Sequence, residues 1–278
     1  MSTEPTATWF RCLRPRPAAR IRLLCFPHGG GSSAAFRQWH ALLPDDVELH
    51  AVEYPGHADR LLEPLVDDLA RLADRACEAA LPLLDRPFAL YGHSLGALAA
   101  FETARRLEAR GHTAVRMTAS GMPAPHMVRP GTVHLGDDRA VLEELDRLGG
   151  VPPEVLEHPD LRELVLRTAR ADYRLAETYR TVPGAVLRAP VTTHRGLEDP
   201  ELTEAEAAGW RLATTAATLH RTFPGDHFHP AADPYPVVAD VLTGLTGPTG
   251  PGEPAGGSTT GRPAECSRTA AVSTASAR

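Results

Sequence analysis

Apolar residues fall into two alternating patterns along this chain. Short apolar runs bounded by Gly and Pro read as strands: Ile21 to Phe26, a buried one, then Val47 to Val52, Phe88 to Tyr91, Ala114 to Ala119, Val191 to His194 and Ala217 to Phe223. Between them the spacing becomes helical. Helices are predicted over Ala34 to Leu43, along the face Leu65, Leu69, Leu72, Ala76 and Ala80, over Ala97 to Arg110 and Thr203 to Ala213, and from about Pro236 to Leu245. Strands alternating with helices imply an α/β fold with a mainly parallel sheet flanked by helices. From about Pro123 to Leu187 the alternation stops and helical faces alone remain, one carried by Val141, Leu142, Leu145 and Leu148, another by Leu161, Leu164, Val165, Thr168 and Leu175. The segment 123–187 therefore reads as an inserted helical module, a lid over an otherwise regular sheet.

After Leu245 the composition changes to Gly, Pro, Ser, Thr and Ala without apolar periodicity, so 246–278 is expected to be a disordered low-complexity tail and 1–245 the folded domain. The 278 residues are 42% apolar and 23% charged, a globular composition. Twenty-nine basic against thirty-five acidic side chains leave a formal charge of -6, which argues against nucleic acid as a partner. No run approaches the roughly 18 to 20 apolar residues of a membrane-spanning helix, and no apolar block suits a secretory leader, so a cytoplasmic protein is expected. Cys12, Cys25, Cys77 and Cys266 are too scattered for a CxxC motif or a disulfide scaffold.

Gly92-His93-Ser94-Leu95-Gly96 is a G-x-S-x-G sequence placed after a strand and before a helix, the context that gives the motif meaning. The glycines permit a tight strand-to-helix turn that projects the Ser94 hydroxyl above the sheet. A serine hydroxyl needs a base, and the base needs an orienting acid. Two late loops supply them: Gly196-Leu197-Glu198-Asp199-Pro200 and Pro224-Gly225-Asp226-His227-Phe228-His229. Asp199 is assigned as the acid, with Glu198 as rival, and His227 as the base, with His229 as rival. The spacing of His227 and His229 could suggest a metal site, but further ligands are not arranged nearby in sequence, and a metal would leave Ser94 unexplained; neither metal nor cofactor is expected. The loop Pro27-His28-Gly29-Gly30-Gly31-Ser32 follows the first strong strand, as oxyanion loops of esterases do. The backbone N–H groups of Gly29 and Leu95 are the expected oxyanion donors.

These residues together resemble the type II thioesterases that accompany polyketide synthases and nonribosomal peptide synthetases. The resemblance runs from about Trp9 to Leu245 through Cys25 to Gly31 with Phe36 and Trp39, Tyr54-Pro55-Gly56, Tyr91 to Ala97, Ser120-Gly121, Ala124-Pro125-His126, Leu148-Gly149-Gly150, Pro153 to Leu156, Arg170-Ala171-Asp172-Tyr173, Asp199-Pro200 and Phe223 to Phe228. It implies an α/β-hydrolase with a helical lid, catalytic residues Ser94, Asp199 and His227, and oxyanion amides on Gly29 and Leu95. The implied activity is hydrolysis of acyl or aminoacyl thioesters from the phosphopantetheine arm of a carrier protein, for editing or release of chains. The family usually carries Ala at the position of Gly29, Arg at that of His57, and an aromatic or aliphatic residue at that of His229. Carrier proteins are usually acidic, yet the segment from Pro123 to Ala189 holds nine Arg against eleven Asp plus Glu, so attraction would rest on local clustering. The competing readings are a carboxylesterase or lipase acting on small oxygen esters with the same triad, and a hydrolase-fold binding protein that has lost its chemistry.

Overall fold

The computed structural model describes residues 6–149, 151 and 153–246. Seven strands form one sheet: β1 (Phe10–Arg11), β2 (Ile21–Phe26), β3 (Val47–Val52), β4 (Phe88–His93), β5 (Met117–Ser120), β6 (Val191–Gly196) and β7 (Thr218–Phe223). Their order is β1-β3-β2-β4-β5-β6-β7. All neighbours are parallel except the edge strand β1, which pairs antiparallel with β3. The longer helices are α1 (Leu69–Ala80), α2 (Leu95–Ala109), α3 (Asp138–Leu148), α4 (Pro159–Thr178) and α5 (Pro234–Thr246).

The register explains why one edge of the sheet can collect chemistry. Phe26 pairs with Gly92, His93 with Ser120, Ser120 with His194, and Gly196 with Phe223. The loops that begin at Pro27, Ser94, Gly121, Leu197 and Pro224 therefore all leave the same carboxyl edge, where open α/β sheets bind their ligands.

Strand period two divides the core. Leu24, Phe26, Phe88 and Leu90 face one layer with Leu69, Leu72 and Ala76 of α1 and Leu98, Phe101 and Leu107 of α2. Leu23, Cys25, Ala89 and Tyr91 face the other with Phe36, Trp39 and Val237, Val238 and Val241 of α5. A third, small cluster of Val141, Leu166 and Ala169 holds α3 to α4, inside the segment that connects β5 to β6.

Several expected elements differ in detail. The predicted helix Ala34 to Leu43 is a 3-10 turn, Ser33–Phe36, followed by the single turn Trp39–Leu42. Phe36, at the end of the 3-10 turn, and Trp39, at the start of the next, both stand against the Tyr91 ring, with centroids at 5.9 and 4.6 Å. Leu65 lies outside α1, because the Asp68 carboxylate caps the helix by accepting from Arg71 N at 2.7 Å. Helix Thr203 to Ala213 is likewise split. A capping box between Thr203 and Glu206 opens Glu204–Ala208, and a 3-10 turn, Gly209–Leu212, completes the segment. In α4 the buried positions are Leu166, Thr168, Ala169, Asp172 and Leu175, whereas Leu161, expected on the apolar face, is 43% exposed near the helix start. Strand β1 has only two residues and carries no periodic signal; it was not expected. The expected tail, apart from Thr246 at the end of α5, lies outside the described residues. Among the described residues, no helix is long and apolar enough to cross a membrane.

Candidate active site

Ser94 occupies the turn between β4 and α2 with φ 54° and ψ -126°, a backbone conformation that costs a non-glycine residue about 1 to 3 kcal/mol. Its neighbours hold it there. Ser94 N donates to Ser120 O at 2.8 Å, tying the turn to the end of β5. A Cβ on Gly92 would lie 2.2 Å from Gly96 O, and one on Gly96 would lie 2.2 Å from Phe26 O. Both glycines of the motif are thus required by close backbone approach rather than by flexibility.

His227 and Asp199 meet at this edge. The Nδ1 atom of His227 lies 3.1 Å from each carboxylate oxygen of Asp199, and both side chains are buried. A nitrogen facing two carboxylate oxygens carries the proton, which leaves Nε2 with the free lone pair that a general base needs. Asp199 is itself fixed by Glu201 N, which donates to Oδ1 at 2.8 Å. Glu198 does something else: its carboxylate accepts from Gly225 N at 2.8 Å and ties the two late loops together. His229 is also turned away, its Nδ1 donating to Asp226 O at 3.1 Å and its ring stacked on Phe223 with centroids 5.6 Å apart. Burial pushes its pKa down to about 4. Of the rival pairs, Asp199 with His227 is the one in contact.

Two cavities converge on these residues. One, of about 140 Å³, is lined by Ser94, Leu95, Gly29, Gly30 and His227, with Met122, Leu145, Leu148, Val151 and Val165 forming an apolar wall. The other, of about 300 Å³, also reaches Ser94 and His227 but is edged by Arg129, Glu144, Glu177 and Glu201. The glycine loop closes the first. Gly30 stands at φ +74°, and Gly30 N donates to Asp172 Oδ2 at 2.6 Å.

Imidazoles crowd the floor of the site. The His93 ring lies 5.1 Å from that of His227, 5.9 Å from His28 and 6.1 Å from His229, centroid to centroid. Burial lowers the pKa of His28 to about 4, with the neighbouring His227 adding to the shift, and holds His93 well below its ordinary value. The floor is therefore neutral, which keeps repulsion away from any charge that develops on His227. Gly121, with φ +63°, makes room for it: a Cβ there would fall 2.8 Å from His93 Cε1 and 3.2 Å from His227 Cε1.

Asp226, His227 and His229 do not form a cluster of metal-ligand geometry. Among the described residues that description fits Cys12, Glu48 and His50. There the Glu48 carboxylate already accepts from Arg16 N at 2.8 Å and Arg22 Nε at 3.0 Å, so its oxygens are committed to cationic or N–H partners.

Asp172 belongs to the segment Arg170-Ala171-Asp172-Tyr173, and the sequence motif alone assigns it no role. A signal was present: it falls on the apolar face of α4, four residues after Thr168 and three before Leu175, where an acidic side chain needs a buried partner.

A mainly parallel sheet, a strained serine between its central strand and the following helix, and an acid and a histidine from two later loops define an α/β-hydrolase. Residues 21–243 match the family described as the thioesterase domain, and the chain belongs to that family. It is similar to a probable cadicidin biosynthesis thioesterase of Streptomyces griseus, with 40% identity over 225 residues, 81% of this chain and 62% of that relative. Similarity to thioesterase PikA5 of Streptomyces venezuelae is 40% over 223 residues, 80% of this chain and 79% of that relative. Among solved structures, the type II thioesterase BorB from the borrelidin biosynthetic cluster superposes with a TM-score of 0.80 at 36% identity, covering 88% of this chain and 99% of BorB. The family expected from the motifs is the family found.

Proposed function

We propose that this protein is a serine thioesterase that hydrolyses acyl or aminoacyl thioesters from the phosphopantetheine arm of a carrier protein, editing or releasing chains in polyketide or nonribosomal peptide assembly. The observation that carries the reading is the His227 ring, held at one nitrogen by Asp199 and lining the same cavity as the strained Ser94. The names of the relatives, biosynthetic thioesterases, support the substrate class.

In this mechanism Ser94 Oγ attacks the thioester carbonyl while His227 Nε2 takes its proton. The backbone N–H groups of Leu95, at the start of α2, and of Gly29 stabilise the tetrahedral oxyanion, a contribution of about 3 to 4 kcal/mol per donor in comparable sites. The C–S bond then breaks, and the thiol leaves with the proton from His227. Water, deprotonated by the same imidazole, cleaves the acyl-enzyme and regenerates Ser94. Asp199 fixes the tautomer and stabilises the imidazolium throughout.

The apolar cavity takes the acyl group. At about 140 Å³ it is close to the roughly 150 Å³ of an engineered cavity that binds benzene, so it suits chains or rings of about six heavy atoms. The second, more polar cavity meets it at Ser94 and His227 and is the path for the arm. Intact-mass measurement of acyl-carrier hydrolysis over several chain lengths tests the proposal. Ser94→Ala is expected to lose turnover and keep carrier binding, and turnover of short acyl groups is expected to exceed that of the matching oxygen esters. Undiminished turnover by Ser94→Ala, or faster cleavage of the oxygen esters, removes the reading.

A further inference from the structure

Asp172 is a buried carboxylate, 4% exposed, that projects from the middle of α4 toward the glycine loop. Its Oδ2 accepts from two donors, Gly30 N at 2.6 Å and His57 Nε2 at 2.8 Å. His57 in turn sits with Nδ1 3.1 Å from Pro55 O, and it too is 4% exposed. Both ring nitrogens thus face acceptors. An imidazole can satisfy two acceptors only by carrying both protons, that is, as a cation. Three segments distant in sequence meet at one oxygen: the glycine loop after β2, the loop after β3, and the inserted helix.

We propose that Asp172 is a positioning residue for the oxyanion loop, and that the His57 imidazolium holds it in place, so that the inserted helix and the Gly29 amide keep one geometry. This rests on the thioesterase reading above and deepens it. The gripped N–H belongs to the Gly29–Gly30 peptide and the Gly29 N–H to the peptide before it; the two planes share the Gly29 Cα, so anchoring the first restricts where the second can point. A Cβ on Gly29 would lie 3.3 Å from Asp172 Cβ, which shows how closely helix and loop are packed. When His57 loses its proton, one of its two N–H donors disappears and either Pro55 O or Asp172 loses its partner.

The charged and titratable groups facing His57 are Asp172 from α4, Glu53 from the end of β3 and His28 from the glycine loop; Tyr54, beside it in its own loop, has its ring 5.7 Å away. Burial works against the charged form of His57, but Asp172 outweighs it, with Pro55 O and Glu53 helping, and the pKa is raised above its ordinary 6.5. Glu53 accepts from Ser33 Oγ at 2.5 Å, and Asp172, in direct contact with the ring at 2.8 Å, is the larger countercharge to His57. His28 is held neutral and adds no opposing charge.

The test compares kcat and KM of the full chain toward an acyl N-acetylcysteamine thioester from about pH 6 to pH 9. Wild type is expected to lose about tenfold in kcat on the alkaline side, with KM nearly constant. His57→Arg, a cation over the whole range, is expected to show no such alkaline loss. His57→Gln is expected to be flat and lower throughout, and Asp172→Asn to lose about 10- to 100-fold in kcat. Superimposable pH profiles for wild type and His57→Arg overturn the proposal, as does an Asp172→Asn enzyme with unchanged kcat. Hydrogen exchange on unmutated protein provides a readout without turnover or folding of a variant. After correction for intrinsic rates, protection of the Gly29 and Gly30 amides is expected to fall as His57 deprotonates, and constant protection overturns the latch. An enzyme that hydrolyses no thioester at any pH but shows this change in protection leaves the latch intact and removes the thioesterase reading.

Discussion

Replacing Gly96 with Ala tests whether the serine turn is held by backbone contact. The new Cβ would lie 2.2 Å from Phe26 O and 2.5 Å from Pro27 O, both main-chain atoms at the end of β2. Cβ contacts under 3.0 Å essentially never occur, so α2 and the end of β2 must separate by about 0.8 Å. No flexible side chain can absorb that movement. Overpacking of this kind costs about 3 kcal/mol, at the upper end for a single methyl group, because the obstacle is backbone. A second effect appears in the molecules that still fold. Pro27 leads directly into His28 and Gly29, so the displacement carries the Gly29 amide, the proposed oxyanion donor, with it, and misplacement of about 1 Å costs about 100-fold in kcat. Urea unfolding followed by tryptophan fluorescence reads the first effect, and thioester turnover in native buffer reads the second. Gly29→Ala is the control: its Cβ meets Asp172 Cβ at 3.3 Å, and its φ lies outside the left-handed region, so it should cost under about 1 kcal/mol and leave turnover within a few fold. A Gly96→Ala protein with the midpoint and kcat of wild type would refute the reasoning.

Asp199→Asn would present an amide to His227 Nδ1 and favour the wrong tautomer; kcat toward a thioester is expected to fall about 10⁴-fold with little change in KM, and a loss under about tenfold would exclude an orienting role for this carboxylate. Stability should also decline in acid. His28 and His229, each lowered by burial to about 4, stay neutral in the folded protein while their unfolded counterparts take up protons below about 6.5. The stabilisation is present above that value and is lost as pH falls toward about 4, by up to roughly 3 kcal/mol per histidine. Denaturant midpoints measured at about pH 7 and pH 5 should therefore differ, and equal midpoints would contradict the neutral floor.

What the sequence disclosed follows from where each signal resides. The long strands were legible because Ile21 to Phe26 and Val47 to Val52 are short, largely apolar segments, interrupted only by Arg22, Glu48 and His50, that bury most of their residues on both faces. Ser94, Asp199 and His227 were legible as candidates because turn chemistry marks the loops after strands. Their contact was not, since it depends on the pairing of Gly196 with Phe223 two loops away. The choice of His227 over His229 needed the coordinates: two residues apart in an extended loop would point alike, but His229 starts a helical turn, His229–Ala232, and stacks on Phe223. The Ser33–Leu42 segment misled because helical spacing and 3-10 spacing are alike over one turn, and the target of Phe36 and Trp39, Tyr91, lies more than fifty residues on. Asp172 stayed without a role for the same reason, its partners being Gly30 and His57.

The helices between β5 and β6 hold together through Val141, Leu166 and Ala169, a nucleus of their own. They also supply Leu145, Leu148 and Val165 to the chamber beside Ser94. Heredity can therefore revise the two halves of the molecule at different speeds. Substitutions that resize the chamber can be compensated within the insert, while β4, β6 and β7 continue to present the same three side chains. Exchanging this segment between relatives that keep a carboxylate at the position of Asp172, and with it the grip on Gly30 N, should transfer preference for the acyl group while Ser94, Asp199 and His227 stay in place.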